Sequence, residues 1–390
     1  MARKKIAKNI SYDPKRKLYY VTLYYGKVEG KAKKETRTFA RKRDAEDCLK
    51  KFEYEKSENL LPKVSDETVE SWTQYCLEDV MRPKIEKTTY SGYKNISKKV
   101  IAELGSISLR KLSSKDIQMY LARLIDPDGK YKLSGNTAIK HLTFLKTVLS
   151  IAQSQEFIHR NPAYFVQAPK YIQPKISFYS PEQINRLFEE INRDTILKPS
   201  VYLAAMLGLR REEICGLKWE SVDFDNCILY IRDARTIAGS EIVEKDAKSY
   251  HSTRRLYIDD LLWKKLAEVK EEQKKRSEML GDLYLCSDLV VVNDYGKPVN
   301  PGTLSTHFHK CVVKHNLPHI TLHGLRHSVA SIANDAGMTQ YDISKMLGHS
   351  SPAVTGKVYT HLFDELQVKT VASVANKIEE NKQNDSKEEE

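Results

Sequence analysis

The stretch from Thr321 to Ser351 reads TLHGLRHSVASIANDAGMTQYDISKMLGHSS, and it decides how the carboxyl-terminal half is interpreted. His323 and Arg326 are three residues apart, so a helix places both on one face. A second helix is predicted to begin after Thr339, its N-cap, and to end at Gly348. Glycine is suited to the left-handed conformation that ends many helices. His349, which follows this glycine, is therefore held by a defined turn just past the helix end.

Further polar residues complete a chemically coherent set with His323, Arg326 and His349. Arg210 follows an apolar run in MLGLRREEICGL, and Lys248 lies in EKDAKSYHSTRRLYI, where one predicted strand turns into the next. Tyr359 is the only tyrosine after His349. Each residue alone is typical of an ordinary surface or core position. Together, guanidinium forks that bind phosphate, a lysine that donates a proton, histidines that carry protons and a phenol that attacks indicate metal-free attack on a phosphodiester.

The composition is that of a soluble globular protein with two or three domains. A chain of 390 residues exceeds one ordinary core, and 41% of its residues are hydrophobic and 30% charged. No apolar run is long enough to span a membrane, and the basic amino terminus lacks the apolar segment of a signal peptide. The six cysteines are scattered without a CxxC pair, which favours free thiols and a cytoplasmic location.

The positive charge is concentrated at the amino terminus. Residues 1–50 hold 16 Lys and Arg against 6 Asp and Glu, a charge of +10, so the other 340 residues supply only +2 of the net +12. Clustered cations with interleaved tyrosines, as in KLYYVTLYYGK, favour a module that binds nucleic acid. The residues that we expect to contact DNA are Lys15, Arg16, Lys17, Tyr19, Lys33, Lys34 and Arg37.

The periodicities predict a multidomain α+β fold. It comprises a small three-stranded sheet with one helix, a helical bundle, a linker with two prolines, a mostly helical domain with one small antiparallel sheet, and a last helix with an acidic tail. The sheet of the helical domain is expected to contain the strands CILYIRDA, EIVEKDAK and RRLYI. The corresponding segments are residues 1–62, 65–168, 169–179, 180–365 and 366–390. The expected helices of the bundle are Val69–Val80, Thr88–Leu104, Ser114–Leu124 and Asn136–Phe157.

The order Arg, Lys, His-x-x-Arg, His, Tyr resembles the tyrosine recombinases, or phage integrase family. The stretches that carry the resemblance are GLRREE, AKSYHSTRR, HGLRHS, LGHSS and YTH, and the similarity covers nearly the whole chain. It implies an arm-site DNA-binding domain in residues 1–62, a core-binding domain in residues 65–168 and a catalytic domain in residues 180–365. It also implies a site-specific integrase of a phage or a conjugative transposon.

The resemblance assigns the phosphate contacts and the proton donor. Arg210 and Arg326 would clamp the scissile phosphate, and Glu213 matches an acidic position that supports the active site. Lys248 would protonate the leaving 5′ oxygen. The lysine region is longer than is usual for the family, which leaves Lys245 as an alternative.

The resemblance also assigns the nucleophile. Tyr359 would attack to give a 3′-phosphotyrosine, His323 would act as acid and base beside it, and His349 would donate a hydrogen bond to the phosphate. The gap between His349 and Tyr359 is one residue longer than the commonest family spacing. Because the covalent link preserves the energy of the phosphodiester, neither ATP nor a metal or other cofactor is expected.

The partners implied are double-stranded DNA, at core and arm sites, and other copies of the chain. Cutting two duplexes needs four active sites, so a homotetramer on DNA is expected. An excisionase or a host DNA-bending protein would be a further partner. Residues 366–390 would pack on a neighbouring subunit, with packing on their own domain as the alternative.

Three other interpretations remain at this point. A zinc enzyme is suggested by His315, His319, His323 and His327, which recur every four residues, although Pro318 should interrupt a helix through the first pair. The second is a DNA-binding protein without catalysis, which would lack one of the six polar residues. The third is a type IB topoisomerase, which relaxes DNA with the same kind of tyrosine nucleophile.

Overall fold

The computed structural model describes residues 3–28, 31–57, 67–172, 177–246 and 254–348. The chain divides into two compact units, Met1–Gln173 and Pro174–Glu390. None of the helices within the described ranges combines the length and the apolar character needed to cross a membrane.

The first unit begins with an antiparallel sheet of four strands in sequential order, covered by a helix. These elements are β1 (Lys4–Ala7), β2 (Ile10–Asp13), β3 (Leu18–Val28), β4 (Lys31–Phe39) and α1 (Lys42–Ser57). The sequence predicted three strands, and the additional strand is β1. All four β1 residues are exposed, so β1 carries no alternation of buried and exposed residues. It is recognisable only through its pairing with β2.

The register of the sheet decides which side chains face α1. Directly opposed residues of an antiparallel pair share a face, and Val21 pairs with Arg37 while Leu23 pairs with Glu35. This face packs on α1 around a core of Ile10, Val21, Leu23, Ala45 and Phe52. Tyr24 and Lys34 pair on the opposite face.

The helical bundle follows the predicted helices closely. Its members are α2 (Val69–Tyr75), which continues as a wider π-type turn (Cys76–Met81), α3 (Lys87–Leu104), α4 (Ser114–Ile125), α5 (Gly135–Ser154) and a short 3₁₀ turn (Pro162–Phe165). Thr68, Ser113 and Ser134 cap α2, α4 and α5 through their side-chain oxygens. The core of the bundle includes the buried aromatic rings of Trp72, Tyr120 and Phe144. The Trp72 indole N–H donates a hydrogen bond to the Val148 carbonyl at 3.0 Å.

The second unit is mostly helical. Its helices are α6 (Pro181–Ile191), α7 (Leu197–Leu207), α8 (Arg211–Gly216), α9 (Asp260–Leu280), α10 (Pro301–Lys314), α11 (Leu322–Asp335) and α12 (Gln340–Leu347). The start of α6 has the predicted capping box, with Ser180 as N-cap, Pro181 in the first turn and Gln183 bonding back to the cap. The helices α7, α9, α10 and α11 surround one apolar core.

The strands of this unit form two sheets, where the sequence predicted one. They are β5 (Val222–Asp223), β6 (Ile228–Ile231), β7 (Asp233–Ala238), β8 (Glu241–Asp246) and β9 (Arg254–Tyr257). The order β5-β6-β9 makes one sheet, and β7 and β8 make the other. The segment CILYIRDA is divided at Arg232 between the two sheets. Alternation identifies strands, but the partner of a strand is decided by contacts distant in sequence.

Candidate active site

Two glycines bring two helix ends together. Gly208 ends α7 with φ of 63°, and Gly348 ends α12 with φ of 68°. Both lie in the left-handed region, where a Cβ is strained. A Cβ on Gly208 would also clash with the Leu347 side chain. The glycines therefore allow the carboxyl ends of α7 and α12 to approach closely, and their last carbonyl groups become available to cations.

Arg326 lies between these two helix ends. It belongs to α11, is only 1% exposed, and donates to the carbonyl oxygens of Gly208 and Leu347, the latter at 2.6 Å. Carbonyl groups at a helix carboxyl terminus carry partial negative charge, which stabilises a buried guanidinium. The packing of the two helix ends thus stabilises the buried charge of Arg326.

Arg210 is the N-cap of α8 and is held from two sides. Its side chain donates to Glu213 Oε1 at 2.8 Å, and its backbone N–H donates to Glu213 Oε2 at 2.9 Å. A second guanidinium nitrogen donates to the Gly348 carbonyl at 2.7 Å. These contacts fix the plane of the guanidinium, and a guanidinium has five N–H donors in all.

Glu213 is the anion at the centre of the site. Both of its oxygens accept from Arg254, the first residue of β9, at 2.9 Å each, and both side chains are 9% exposed. Burial pushes the pKa of Glu213 up, but the hydrogen bonds and charge of Arg254, with those of Arg210, outweigh burial and lower the pKa to about 2. The carboxylate is therefore ionised throughout the physiological range.

Arg254 also reaches α12, so that three arginines share the end of that helix. Its Nε donates to the Met346 carbonyl at 3.2 Å. The three successive carbonyls of Met346, Leu347 and Gly348 thus accept from Arg254, Arg326 and Arg210 respectively. With one carboxylate among three guanidinium groups, this part of the site has a net charge of +2 and is suited to an anion.

His323 lies one helical turn before Arg326 on α11. Partial desolvation, followed by the charges of Arg326 and Arg210, lowers the pKa of His323 below its ordinary value. Its ring meets that of His327 edge to face, with centroids 4.7 Å apart. The two rings line a cavity of about 230 Å³ with Ser177, His319, Ile320, Thr321 and Gly324. A neutral imidazole at this position can accept a proton.

The structure brings together only part of the predicted catalytic set. Arg210 and Arg326 both donate to carbonyls at the end of α12, Glu213 pairs with Arg210, and His323 lies on the same helix as Arg326. The other three members of the set, Lys248, His349 and Tyr359, lie outside the described residues. For Lys245, the alternative to Lys248, the structure describes the backbone in β8 only.

Arg254 is the contributing residue that sequence reasoning missed. It stands in the stretch STRRLYI beside Arg255, and its alternation with the apolar Leu256 and Ile258 is the one local signal that could have separated the two. The structure separates them by the alternation of the strand, because Arg255 is exposed while Arg254 is turned inward onto Glu213.

The histidine series that suggested zinc does not form one helix. The helix α10 ends at Lys314 and α11 begins at Leu322, so Pro318 falls in the loop between them, as expected. His315 is paired with Glu190 at 2.5 Å. In the part of the chain that the structure describes, there is no group of three or more ligand-type side chains able to hold a metal ion.

The residues proposed to contact DNA occupy different parts of the amino-terminal sheet. Lys15, Arg16 and Lys17 are exposed in the turn between β2 and β3, which is braced by the Asp13 carboxylate accepting from the Lys15 and Arg16 N–H groups at 3.0 and 3.2 Å. They form one continuous cationic turn.

The strand residues of this group lie on opposite faces of the sheet. Tyr19 packs beside the α1-facing core, and Arg37 is on the same face with its Nε paired to Glu35 at 2.9 Å. Lys34 is exposed on the other face. The side chain of Lys33 lies outside the described part of the structure.

Comparison with known proteins shows where this architecture occurs. The phage integrase family description matches residues 177–365, and the phage integrase N-terminal SAM-like domain matches residues 68–125. The chain is 26% identical to a tyrosine recombinase XerC-like protein of Caldanaerobacter subterraneus subsp. tengcongensis, over 95% of this chain and 99% of the relative. It is also 26% identical to the ICEBs1 integrase of Bacillus subtilis, over 71% and 75% of the two chains.

A solved structure agrees with the fold. The Tn1549 transposon integrase, determined in complex with transposon right end DNA, superposes with a TM-score of 0.66 and 19% identity, over 78% of this chain and 99% of that chain. The mixed α and β architecture expected from the sequence is therefore confirmed. The family matches and the recombinase relative define an enzyme that cuts and rejoins DNA. The chain belongs to the phage integrase family, the tyrosine recombinases.

Proposed function

We propose that this tyrosine recombinase integrates and excises a mobile genetic element at specific DNA sites, through a 3′-phosphotyrosine on Tyr359. The observation that carries the proposal is the convergence of Arg210 and Arg326 on the end of α12, directly before His349. Relatives named ICEBs1 integrase and transposase from transposon Tn916, the latter 25% identical over 74% of this chain, support a mobile element as the substrate.

The first step is a transfer of one phosphodiester bond. The phenolic oxygen of Tyr359 attacks the scissile phosphorus while the bond from phosphorus to the 5′ oxygen breaks. Lys248 donates a proton to that oxygen, which leaves as a 5′-hydroxyl, and the phenolic proton passes to the neutral imidazole of His323. Arg210 and Arg326 stabilise the negative charge that develops on the non-bridging oxygens.

The second step reverses the first with a different strand. A 5′-hydroxyl from the partner duplex attacks the phosphotyrosine and passes its proton to Lys248, a new phosphodiester forms, and the bond from phosphorus to Tyr359 breaks as the phenolic oxygen takes back the proton held by His323. His349 donates a hydrogen bond to the phosphate in both steps. Since one phosphoester replaces another each time, the protein needs no external energy source and its own side chains supply all proton transfers.

We expect covalent capture of DNA in the presence of a metal chelator. A nicked duplex with the crossover site of the element loses its cleaved fragment, so the phosphotyrosine accumulates as a denaturation-resistant band. A second assay uses two intact DNA sites. Formation of a recombinant product in that assay would distinguish recombination from topoisomerase-like relaxation. Relaxation alone would contradict the recombinase, and tight binding without a covalent band would contradict any strand-cutting function.

The amino-terminal sheet is proposed to bind arm-type DNA sites, apart from the core sites bound by the bundle. We expect Lys15→Ala/Arg16→Ala/Lys17→Ala to lower affinity for arm-site DNA and to reduce the slope of log affinity against log salt by about one for each phosphate group that the turn no longer neutralises. Fluorescence anisotropy over a salt series measures this slope. Core-site DNA without arms is the control, and an unchanged slope on arm DNA would exclude this turn from the interface.

The working assembly is proposed to be a tetramer on two core sites. Four active sites are needed to cut two duplexes, and the segment LFDELQVKTVASVANKIEE after Tyr359, which lies outside the described residues, has apolar residues at a helical spacing suited to a neighbouring subunit. An excisionase or a host DNA-bending protein would set the direction of the reaction. We place this activity in the cytoplasm, a proposal supported by six cysteines that are all free.

A further inference from the structure

Three segments of the second unit carry proposed catalytic residues: α8 with Arg210 before it, the end of α12 before His349, and the segment with Lys248. Arg254 contacts the first two and begins β9, the strand that follows the third. Its guanidinium holds Glu213, which follows Arg210 in α8. Its Nε donates to the Met346 carbonyl at the end of α12, two residues before Gly348 and three before His349. Arg254 itself begins β9, shortly after the segment that carries Lys248.

The packing around Arg254 leaves little freedom for this side chain. A Cβ on Gly348 would lie 2.9 Å from one Arg254 guanidinium nitrogen, so the guanidinium lies directly against the backbone of that glycine. Both carboxylate oxygens of Glu213 are engaged by Arg254 in a two-point contact, which a lysine cannot reproduce. A side chain only 9% exposed and held at three atoms acts as a rigid connection.

We propose that Arg254 is a positioning residue for DNA strand cleavage, which aligns Arg210 through Glu213 and fixes the end of α12 that leads to His349. This inference rests on the proposed function. Arg254 would not touch the DNA. Its contribution is the relative placement of groups on β9, α8 and α12, where a displacement of about 1 Å can cost on the order of 100-fold in rate.

The test compares Arg254→Ala, Arg254→Lys and the matched control Arg255→Ala, which removes the same charge from the exposed side of the same strand. Covalent complex formation is followed in a single turnover at saturating protein on the nicked substrate. We expect cleavage to slow on the order of 100-fold in Arg254→Ala and less in Arg254→Lys, with DNA affinity unchanged. We expect Arg255→Ala to cleave at the normal rate.

Chemical rescue separates positioning from simple loss of folding. Guanidinium chloride at non-denaturing concentration should restore part of the rate of Arg254→Ala, relative to sodium chloride at equal ionic strength, and should leave Arg254→Lys unchanged. A normal rate in Arg254→Lys, or a loss in Arg254→Ala that guanidinium does not reverse, would overturn the inference. A wild-type protein that forms no covalent complex would instead overturn the proposed function.

Discussion

Tyr359→Phe should abolish covalent capture of DNA while leaving DNA binding intact. The substitution removes only the phenolic oxygen, the proposed nucleophile, so the rate of covalent complex formation should fall on the order of 10⁴-fold or more. The ring is retained, and the change leaves every arginine of the site in place. A denaturing gel with the nicked substrate measures the covalent complex, and a gel-shift assay on the same DNA measures binding.

The matched control for this experiment is Tyr341→Phe. Tyr341 is an exposed tyrosine of α12, 64% accessible, and loses the same oxygen. We expect it to cleave DNA normally. A covalent band that persists in Tyr359→Phe would move the nucleophile to another residue, which peptide mapping of the adduct would identify.

The second large effect is expected at the buried carboxylate. In Glu213→Gln the shape is kept, but Arg254 and Arg210 lose their anion and meet an amide that can also donate. Removing one partner of a buried ion pair costs about 3–5 kcal/mol. The free energy of unfolding of the second unit should therefore fall by about 3 kcal/mol, and cleavage should slow on the order of 100-fold because the phosphate-binding arginine is no longer aligned.

Urea denaturation followed by tryptophan fluorescence measures this stability, with Trp219 and Trp263 reporting on the second unit and Trp72 on the first. Glu212→Gln is the control, since Glu212 lies in the same helix and forms a half-exposed pair with Arg211, worth less than about 1 kcal/mol. Equal stability of Glu213→Gln and the wild type would show that the buried pair is not a net stabilising contact.

The difference in unfolding free energy between the wild type and Glu213→Gln should depend on pH, because folding lowers the pKa of Glu213. The pKa of Glu213 is lowered from 4.5 to about 2 in the folded protein. A depressed carboxyl pKa contributes stability that is present above about pH 4.5 and is lost as pH falls towards 2. The gap in stability between the wild type and Glu213→Gln should therefore narrow over this range. A constant gap would contradict the assigned ionisation.

Much of the second unit could be predicted because its signals are local. The capping box at Ser180, the N-cap at Thr339 and the glycine end of α12 all appear as expected, since each depends on a backbone group and a side chain within a few residues. The four bundle helices were located for the same reason. The first strand and the division of the catalytic strands into two sheets were not, because pairing is decided between distant segments.

The sequence by itself determined the four helices of the bundle, the basic character of the amino-terminal domain and the order of polar residues that identifies the family. Only the tertiary structure decided that Arg254 pairs with Glu213, a residue 41 positions away. It also decided that three arginines meet three successive carbonyls at the end of α12. The physical reason is that an arginine has the same local preferences on a surface and in a core, and only burial and a distant partner distinguish the two.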